Sequence, residues 1–241
     1  MNQLPLLPIQ LVDEQPADRT VSKDLLFIGF DEQDRRYALK TVEPNAPLLP
    51  LTEWLCYHLC RLAGIITPEF SVVLRLDGSP AFGSRWEENA REFSPAKVSE
   101  ADLLGWLQKT RADTSGMFVM DGFMPNPDRH LGNILFVQTG ARLRALAFDW
   151  SRTAIFEPWP WTNDCNSAQN WRWFKAIGNT DAAAFHARLQ RLQAVTDQQV
   201  LEILQAAPEL WRNNVNIEFA AQWWQANRDN RAKAVSDLLK P

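Results

Sequence analysis

The stretch NPDRHLGNILF, from Asn126 to Phe136, decides how this sequence is interpreted. It places an acid, two basic side chains, a glycine and an amide between a proline-marked turn and an apolar run. The apolar run continues as a short strand, ILFV, and a turn at Gly140 precedes a second strand, Leu143 to Phe148, which ends just before Asp149. Two apolar runs separated by a short polar turn predict a β-hairpin.

The predicted hairpin brings three polar side chains to one end. Asn133 precedes its first strand, Asp149 follows its second strand, and Asp128 lies on the loop leading in. Across a strand pair, side chains lie roughly 5 Å apart. One carboxylate could then orient a hydroxyl, while an amide oxygen and a second carboxylate hold magnesium on phosphates. The alternative is an Asx-capped turn that merely feeds a hairpin.

The rest of the chain predicts two lobes. A first hairpin spans Asp24 to Val42, a helix begins with Thr52 as its cap and ends near Gly64, and two further strands follow. The remaining predicted segments are the strands FSVVLRLDG and PAFGSRW, a linker at Glu87–Pro95, helices at Ser99–Leu107 and Gly116–Phe123, a Trp/Pro loop near Phe156–Trp161 and an amphipathic tail.

The motif DRHLGN, followed by a hairpin and FDW, resembles the catalytic loop and metal-binding segment of HipA-like kinases. It is more distantly similar to the DRHxxN loop of phosphatidylinositol 3- and 4-kinases. The similarity extends to YALK, TEWLCYHLCRLAG and AFGSRW. It implies an α+β, two-lobed, protein-kinase-like fold with ATP between the lobes. Residues 1–90 would form a small antiparallel-sheet lobe with one helix, and residues 91–241 a mainly helical catalytic lobe.

The resemblance also implies roles for individual residues. Asp128 corresponds to the catalytic base, and Asn133 and Asp149 correspond to the ligands of Mg²⁺. Lys40 corresponds to the strand lysine that pairs with nucleotide phosphates, and Glu53 to the acid that holds that lysine.

Local physical reasoning supports two of these roles but leaves alternatives. In YALK, Ala38 and Lys40 point to the same face of a strand, so a small residue can lie under a flat base while the amine reaches phosphates. Alone, Lys40 would be a solvated lysine at a strand end. Glu53 lies in the first helical turn, where an acid is favourable to the helix dipole in any case.

The region that should cover the phosphates contains no glycine. Phosphate-binding loops use glycine because backbone amides approach the nucleotide closely. Here DRTVSKD, Asp18 to Asp24, offers Thr20, Ser22 and Lys23 instead, which could hold phosphates or form a polar surface turn. His130 could hydrogen-bond the backbone and hold the loop, or contact phosphate when charged.

One further position departs from protein kinases. Trp150 and Ser151 stand where those enzymes have an aromatic residue followed by glycine. The sequence therefore gives no support for a movable switch segment after Asp149.

Composition limits the class of protein. The chain has 241 residues, 46% of them hydrophobic, without an apolar run long enough to span a bilayer. A net charge of −4 gives no general attraction to nucleic acid or anionic membrane. Three cysteines without a CxxC pair argue against a disulfide framework and a zinc site. With no signal-peptide pattern, we expect a soluble cytoplasmic protein.

Two classes of function stay open at this stage. The first is an ATP- and Mg²⁺-dependent kinase that phosphorylates serine or threonine of a protein, as the resemblance implies; a lipid or small-molecule acceptor is a variant of it. The second is a non-catalytic, kinase-like module that regulates a partner. HipA-like kinases often act as toxins beside a separately encoded antitoxin, so any link to DNA would run through such a partner.

Overall fold

A computed structural model of the protein describes residues 7–17, 25–92, 98–153, 164–213 and 215–240. Its first part is a closed barrel of five strands in the order β1-β2-β3-β5-β4. The strands are β1 (Ile9–Pro16), β2 (Phe27–Asp31), β3 (Arg36–Lys40), β4 (Phe70–Leu74) and β5 (Pro80–Arg85). Strands β2 to β5 confirm the first hairpin and the two further strands predicted in this region.

Strand β1 was not predicted, and it changes the architecture of the sheet. It pairs antiparallel with β2 and parallel with β4, which closes the barrel. The expected small antiparallel sheet is therefore corrected to a mixed, closed one. Of the eight β1 side chains only Leu11 is fully buried, so the sequence IQLVDEQP carries little of the alternation that marks a strand.

The barrel interior is small and tightly packed. A Cβ on Gly29 would lie 2.5 Å from Leu11 Cδ1, and one on Gly83 would lie 2.6 Å from Val73 Cγ1. Glycine is required at both positions because facing side chains fill the space. The apolar residues that form this interior are Leu11, Tyr37, Leu39, Val73 and Ala81.

Helix α1 (Leu49–Ala63) connects the barrel to the helical part of the chain. Leu48 caps it without a side-chain hydrogen bond, so the helix begins three residues before the predicted cap, Thr52, which is a buried helical residue. Proline in the first turn favours this earlier start, since its missing N–H costs nothing there. The helix ends at Gly64 with φ 70°, as predicted. Nearly all of α1 is buried, because it contacts barrel strands and later helices.

The helical part surrounds one continuous apolar core, to which α1 also contributes. Ser99 caps the first of these helices by accepting a hydrogen bond from the Asp102 amide. In the last helix, Trp224 is buried and donates to the Val195 carbonyl, which ties the tail to this core. The helices are α2 (Glu100–Lys109), α3 (Arg111–Phe123), α4 (Asn166–Ala176), α5 (Ala182–Gln193), α6 (Asp197–Gln205), α7 (Glu209–Arg212) and α8 (Ile217–Asp237).

A second sheet carries the hairpin that follows the DRHLGN motif. Strands β7 (Ile134–Thr139) and β8 (Arg142–Ala147) pair antiparallel about Gly140, which has φ 58°. This confirms the predicted second hairpin. Strand β6 (Arg91–Glu92) pairs with β7, so the predicted linker at Glu87–Pro95 is partly a strand. The end of that linker, residues 93–95, and the Trp/Pro loop lie outside the described residues.

Cys56 and Cys60 are buried free thiols, and Cys165 is a partly exposed one. Among the helices of the described residues, we find none with the length and apolarity needed to cross a membrane.

Candidate active site

A cleft of about 580 Å³ opens where the barrel, α1 and the β7–β8 hairpin meet. It gathers side chains that lie far apart in the sequence. Six of the predicted site residues line it: Lys40, Glu53, Asp128, His130, Asn133 and Asp149. The other two, Ser22 and Lys23, lie outside the described residues.

The loop before β7 fixes the positions of Asp128 and Asn133. The Asp128 amide donates to Asn126 Oδ1 at 3.1 Å, which forms the Asx turn that the sequence allowed. Asn133 Nδ2 donates to the Asp128 carbonyl at 3.0 Å, which commits the amide nitrogen to the loop. Asn166, at the start of α4, donates to Asp128 Oδ1 at 2.7 Å. One oxygen of the Asp128 carboxylate is thus held by Asn166, and the Asx-capped turn that the sequence allowed is present.

Asp149 follows β8 in a conformation that side-chain-bearing residues seldom adopt. Its φ is 62°, in the left-handed region, where strain of about 1 kcal/mol or more is typical. Burial alone would raise the pKa of Asp149, but the Lys40 ammonium and hydrogen bonds from Ser151 outweigh burial and lower the pKa to about 2. Asp149 is therefore ionised at neutral pH, the form that binds a metal ion.

Lys40 contacts Asp149 rather than Glu53. Its Nζ lies 3.3 Å from Asp149 Oδ1 and donates to Ser151 Oγ at 2.8 Å. Glu53 Oε1 instead accepts from the Trp150 amide at 3.0 Å and lies 3.1 Å from Ser151 Oγ. The described residues include no ion pair between Lys40 and Glu53, so the direct pairing implied by the resemblance is replaced by a link through Ser151.

Glu53 is completely enclosed at the back of the cleft. Burial raises the pKa of Glu53 to about 7. The Lys40 charge partly offsets this rise in pKa, and the Asp149 charge adds to it. Its Oε2 accepts no hydrogen bond from any described group. A buried carboxylate oxygen without a partner is costly, and such atoms are common at functional sites.

Arg129 is the residue whose role the sequence did not reveal. Its guanidinium is fully buried and pairs with Asp121 through contacts of 2.8 and 3.0 Å. Nη1 also donates to the carbonyls of Asn133 and Phe148, both at 2.6 Å. Burial opposes the charge, but the Asp121 carboxylate keeps the pKa of Arg129 above its usual value. The signal available in the sequence was an acid, Asp121, in the otherwise apolar second half of α3, Met117 to Phe123.

His130 orders the loop. It is exposed, and its Nδ1 accepts from the Gly132 amide at 3.1 Å, which caps the short 3₁₀ turn at Leu131–Asn133. Of the two roles left open by the sequence, this geometry supplies the backbone contact. The ring also lines the cleft.

The oxygen donors fit a magnesium ion shared with phosphate. Asn133 Oδ1 and Asp149 Oδ2 accept no hydrogen bond from the described residues. Both are hard oxygen donors, and Mg²⁺ is usually held by one or two carboxylates together with substrate phosphates and water. Over the described ranges, no group of three or more His, Cys, Asp or Glu side chains converges on a metal position.

Comparison with protein-family models gives no match, and comparison with curated protein sequences gives none. Solved structures do match. The proinflammatory kinase CtkA of Helicobacter pylori has a TM-score of 0.56 at 12% identity, over 95% of this chain and 94% of that one. HipA, from the toxin–antitoxin complex of Shewanella oneidensis with HipB and operator DNA, has a TM-score of 0.54 at 11% identity, over 85% of this chain.

This chain spans 60% of the length of that HipA chain. An aminoglycoside phosphotransferase of Alicyclobacillus acidocaldarius aligns over 98% of this chain at 14% identity, with a TM-score of only 0.33. The two better matches establish a kinase-like fold for this protein.

Proposed function

We propose that the protein is an ATP- and Mg²⁺-dependent phosphotransferase of the HipA-like kinase type that phosphorylates serine or threonine hydroxyls of a protein. The observation that carries the proposal is the convergence of Lys40, Asp128, Asn133 and Asp149 on one cleft of a kinase-like fold. These are the residue types that phosphoryl transfer uses for positioning and charge stabilisation.

In this proposal Lys40, Asn133 and Asp149 bind the nucleotide. The Asn133 and Asp149 oxygens would hold Mg²⁺, which neutralises charge on the phosphates when it is bound. Lys40 is only 8% exposed, and its amine would contact the same phosphates. A charge so little exposed to solvent acts more strongly than it would on the surface.

Asp128 orients the acceptor in the transfer step. Its Oδ1 is held by Asn166, which leaves Oδ2 to accept the acceptor hydroxyl's proton. The hydroxyl oxygen forms a bond to the terminal phosphorus as the bond to the bridging oxygen breaks. ADP leaves with the electrons of that bond, and the proton stays on Asp128.

We further propose that Thr20, Ser22 and Lys23 contact phosphates in place of a glycine-rich loop, and that His130, which lines the cleft, also contacts the nucleotide. Residues 1–90 would then form the nucleotide-binding lobe and residues 91–241 the catalytic lobe. The HipA structure contains a second protein, HipB. By analogy, a separately encoded protein partner is proposed here, with no direct contact of this chain to nucleic acid.

A non-catalytic role has one observation in its favour. Lys40 is engaged by Asp149 and Ser151 rather than by Glu53. A lysine that forms an ion pair with Asp149 is less available to nucleotide phosphates, which would suit a module that regulates a partner without transferring phosphate.

An assay of phosphoryl transfer distinguishes the kinase from the non-catalytic module. Purified protein is incubated with Mg²⁺ and ATP labelled on the terminal phosphate, first alone and then with a protein extract. Label on serine or threonine that disappears in Asp128→Asn supports the kinase. Label on lipid or a small molecule would change the acceptor class, and binding of ATP without any transfer would support the regulatory module.

A further inference from the structure

The residue after Trp150 is a serine whose hydroxyl touches three charged side chains. Ser151 Oγ accepts from Lys40 Nζ at 2.8 Å and lies 3.1 Å from Glu53 Oε1. It also makes a short hydrogen bond to Asp149 Oδ1. Three elements therefore meet at one atom: strand β3, helix α1 and the turn after β8.

The hydrogen-bonding capacity of serine decides what these contacts mean. A hydroxyl has one proton and two lone pairs. It can accept from the Lys40 ammonium while giving its single proton to Asp149 or to Glu53. Since Lys40 makes no direct ion pair with Glu53 within the described ranges, the hydroxyl is the shortest link between the strand lysine and the helix acid.

We propose that Ser151 is a positioning residue that holds Lys40 in the orientation required for phosphate contact, in place of a direct Lys40–Glu53 ion pair. This inference rests on the proposed nucleotide-binding function of the cleft. The Lys40 side chain has four rotatable bonds, and ordering it on binding phosphate costs free energy. A fixed hydroxyl at 2.8 Å removes much of that cost before the nucleotide arrives.

The test compares the dissociation constants of ATP and adenosine without added metal, measured by calorimetry. Adenosine lacks phosphates, so it reports the rest of the cleft. Ser151→Ala is expected to raise the dissociation constant of ATP about tenfold, which is typical of a lost hydrogen bond to a charged group. The dissociation constant of adenosine is expected to stay unchanged. Ser151→Thr keeps a hydroxyl and is expected to restore most of the ATP affinity.

A double-mutant cycle asks whether Ser151 acts through Lys40. If it does, Lys40→Ala with Ser151→Ala binds ATP no more weakly than Lys40→Ala alone. The matched control is Ser115→Ala, which removes a buried hydroxyl that accepts from the Asp181 amide outside the cleft. Its ATP affinity should equal that of the wild type.

The outcomes distinguish this inference from the proposed function. If Lys40→Ala weakens ATP binding but Ser151→Ala does not, the positioning role is wrong and the nucleotide site stands. The same holds if the losses of ATP-binding free energy in the two single variants add in the double variant. If the wild type binds adenosine and ATP equally, with no effect of either substitution, the phosphate site is wrong and the inference fails with it. A Ser151→Ala variant that does not fold is replaced by Ser151→Gly, for which the same results are expected.

Discussion

Arg129 and Asp121 form a bidentate ion pair in which both side chains are completely buried. The same guanidinium donates to the carbonyls of Asn133 and Phe148, the residues that begin and end the β7–β8 hairpin region. Trp150 lies against it, with its ring centroid 5.1 Å from the guanidinium carbon. One buried cation therefore fixes the spacing of the loop that carries Asn133 and the turn that carries Asp149.

Breaking this pair should destabilise the protein strongly. Arg129→Ala leaves Asp121 charged and buried, and we expect a loss of about 3 to 5 kcal/mol in the free energy of unfolding, measured by urea denaturation. Arg129→Lys should not restore it, because an ammonium cannot reproduce the fork-shaped contacts.

Arg144, whose side chain is 36% exposed and pairs with Asp113, provides a control that is more open to solvent. Arg144→Ala should cost no more than about 1 kcal/mol. Equal losses at the two sites, or a fully stable Arg129→Lys, would contradict the role given to the buried pair.

Asp128 and Asp149 should have separable roles. Asp149→Asn is expected to lose Mg²⁺-dependent nucleotide binding, because the ionised carboxylate is replaced by a neutral amide. Asp128→Asn should keep that binding and lower transfer by about 10²- to 10⁴-fold, the usual contribution of a general base. Calorimetry and labelled-ATP transfer measure the two effects. Equal loss of binding in both variants would refute this division.

Lys40→Ala should act on the phosphates and not on the fold. We expect weaker ATP binding and lower turnover with a near-wild-type circular dichroism spectrum, since Lys40 lines the cleft. Nucleotide titration and thermal unfolding are measured together. Unfolding of the variant would reveal a structural role for the Lys40–Asp149 contact.

Glu53 should make stability depend on pH. Its pKa is raised from 4.5 to about 7 in the folded protein, so the folded state binds more protons than the unfolded state between these values. The free energy of unfolding should therefore fall as pH rises from about 4.5 to 7, by up to about 3 kcal/mol. The Lys40 charge opposes this effect and Asp149 adds to it.

Glu53→Gln removes the titrating group while keeping the shape of the side chain. Urea denaturation across this pH range should give a flatter curve for the variant than for the wild type. Parallel curves for the two proteins would show that Glu53 keeps an ordinary pKa.

The parts of the fold that the sequence predicts are the locally encoded ones. Both hairpins are predicted by apolar runs around short turns. The end of α1 is predicted by Gly64, because its φ of 70° suits glycine. The start of α1 was misplaced because Thr52 resembles a cap, whereas Leu48 caps the helix without using its side chain. Local signals of this kind do not distinguish a capping threonine from a buried helical one.

What could not be predicted depends on partners distant in the chain. Strand β1 has little pattern of its own and is defined by pairing with β4, more than fifty residues away. The roles of Arg129 and Ser151 depend on Asp121, Lys40 and Glu53, which only the folded chain brings near. Asp128, Asn133 and Asp149 could be proposed because their spacing around one hairpin is itself a local signal.

The most direct test of the account is calorimetric titration of ATP, with and without Mg²⁺, into the wild type and Asp149→Asn. We predict binding to the wild type that is strengthened by Mg²⁺, and loss of that strengthening in Asp149→Asn. Absence of ATP binding to the wild type in either condition would contradict the proposed nucleotide site while leaving the kinase-like fold intact.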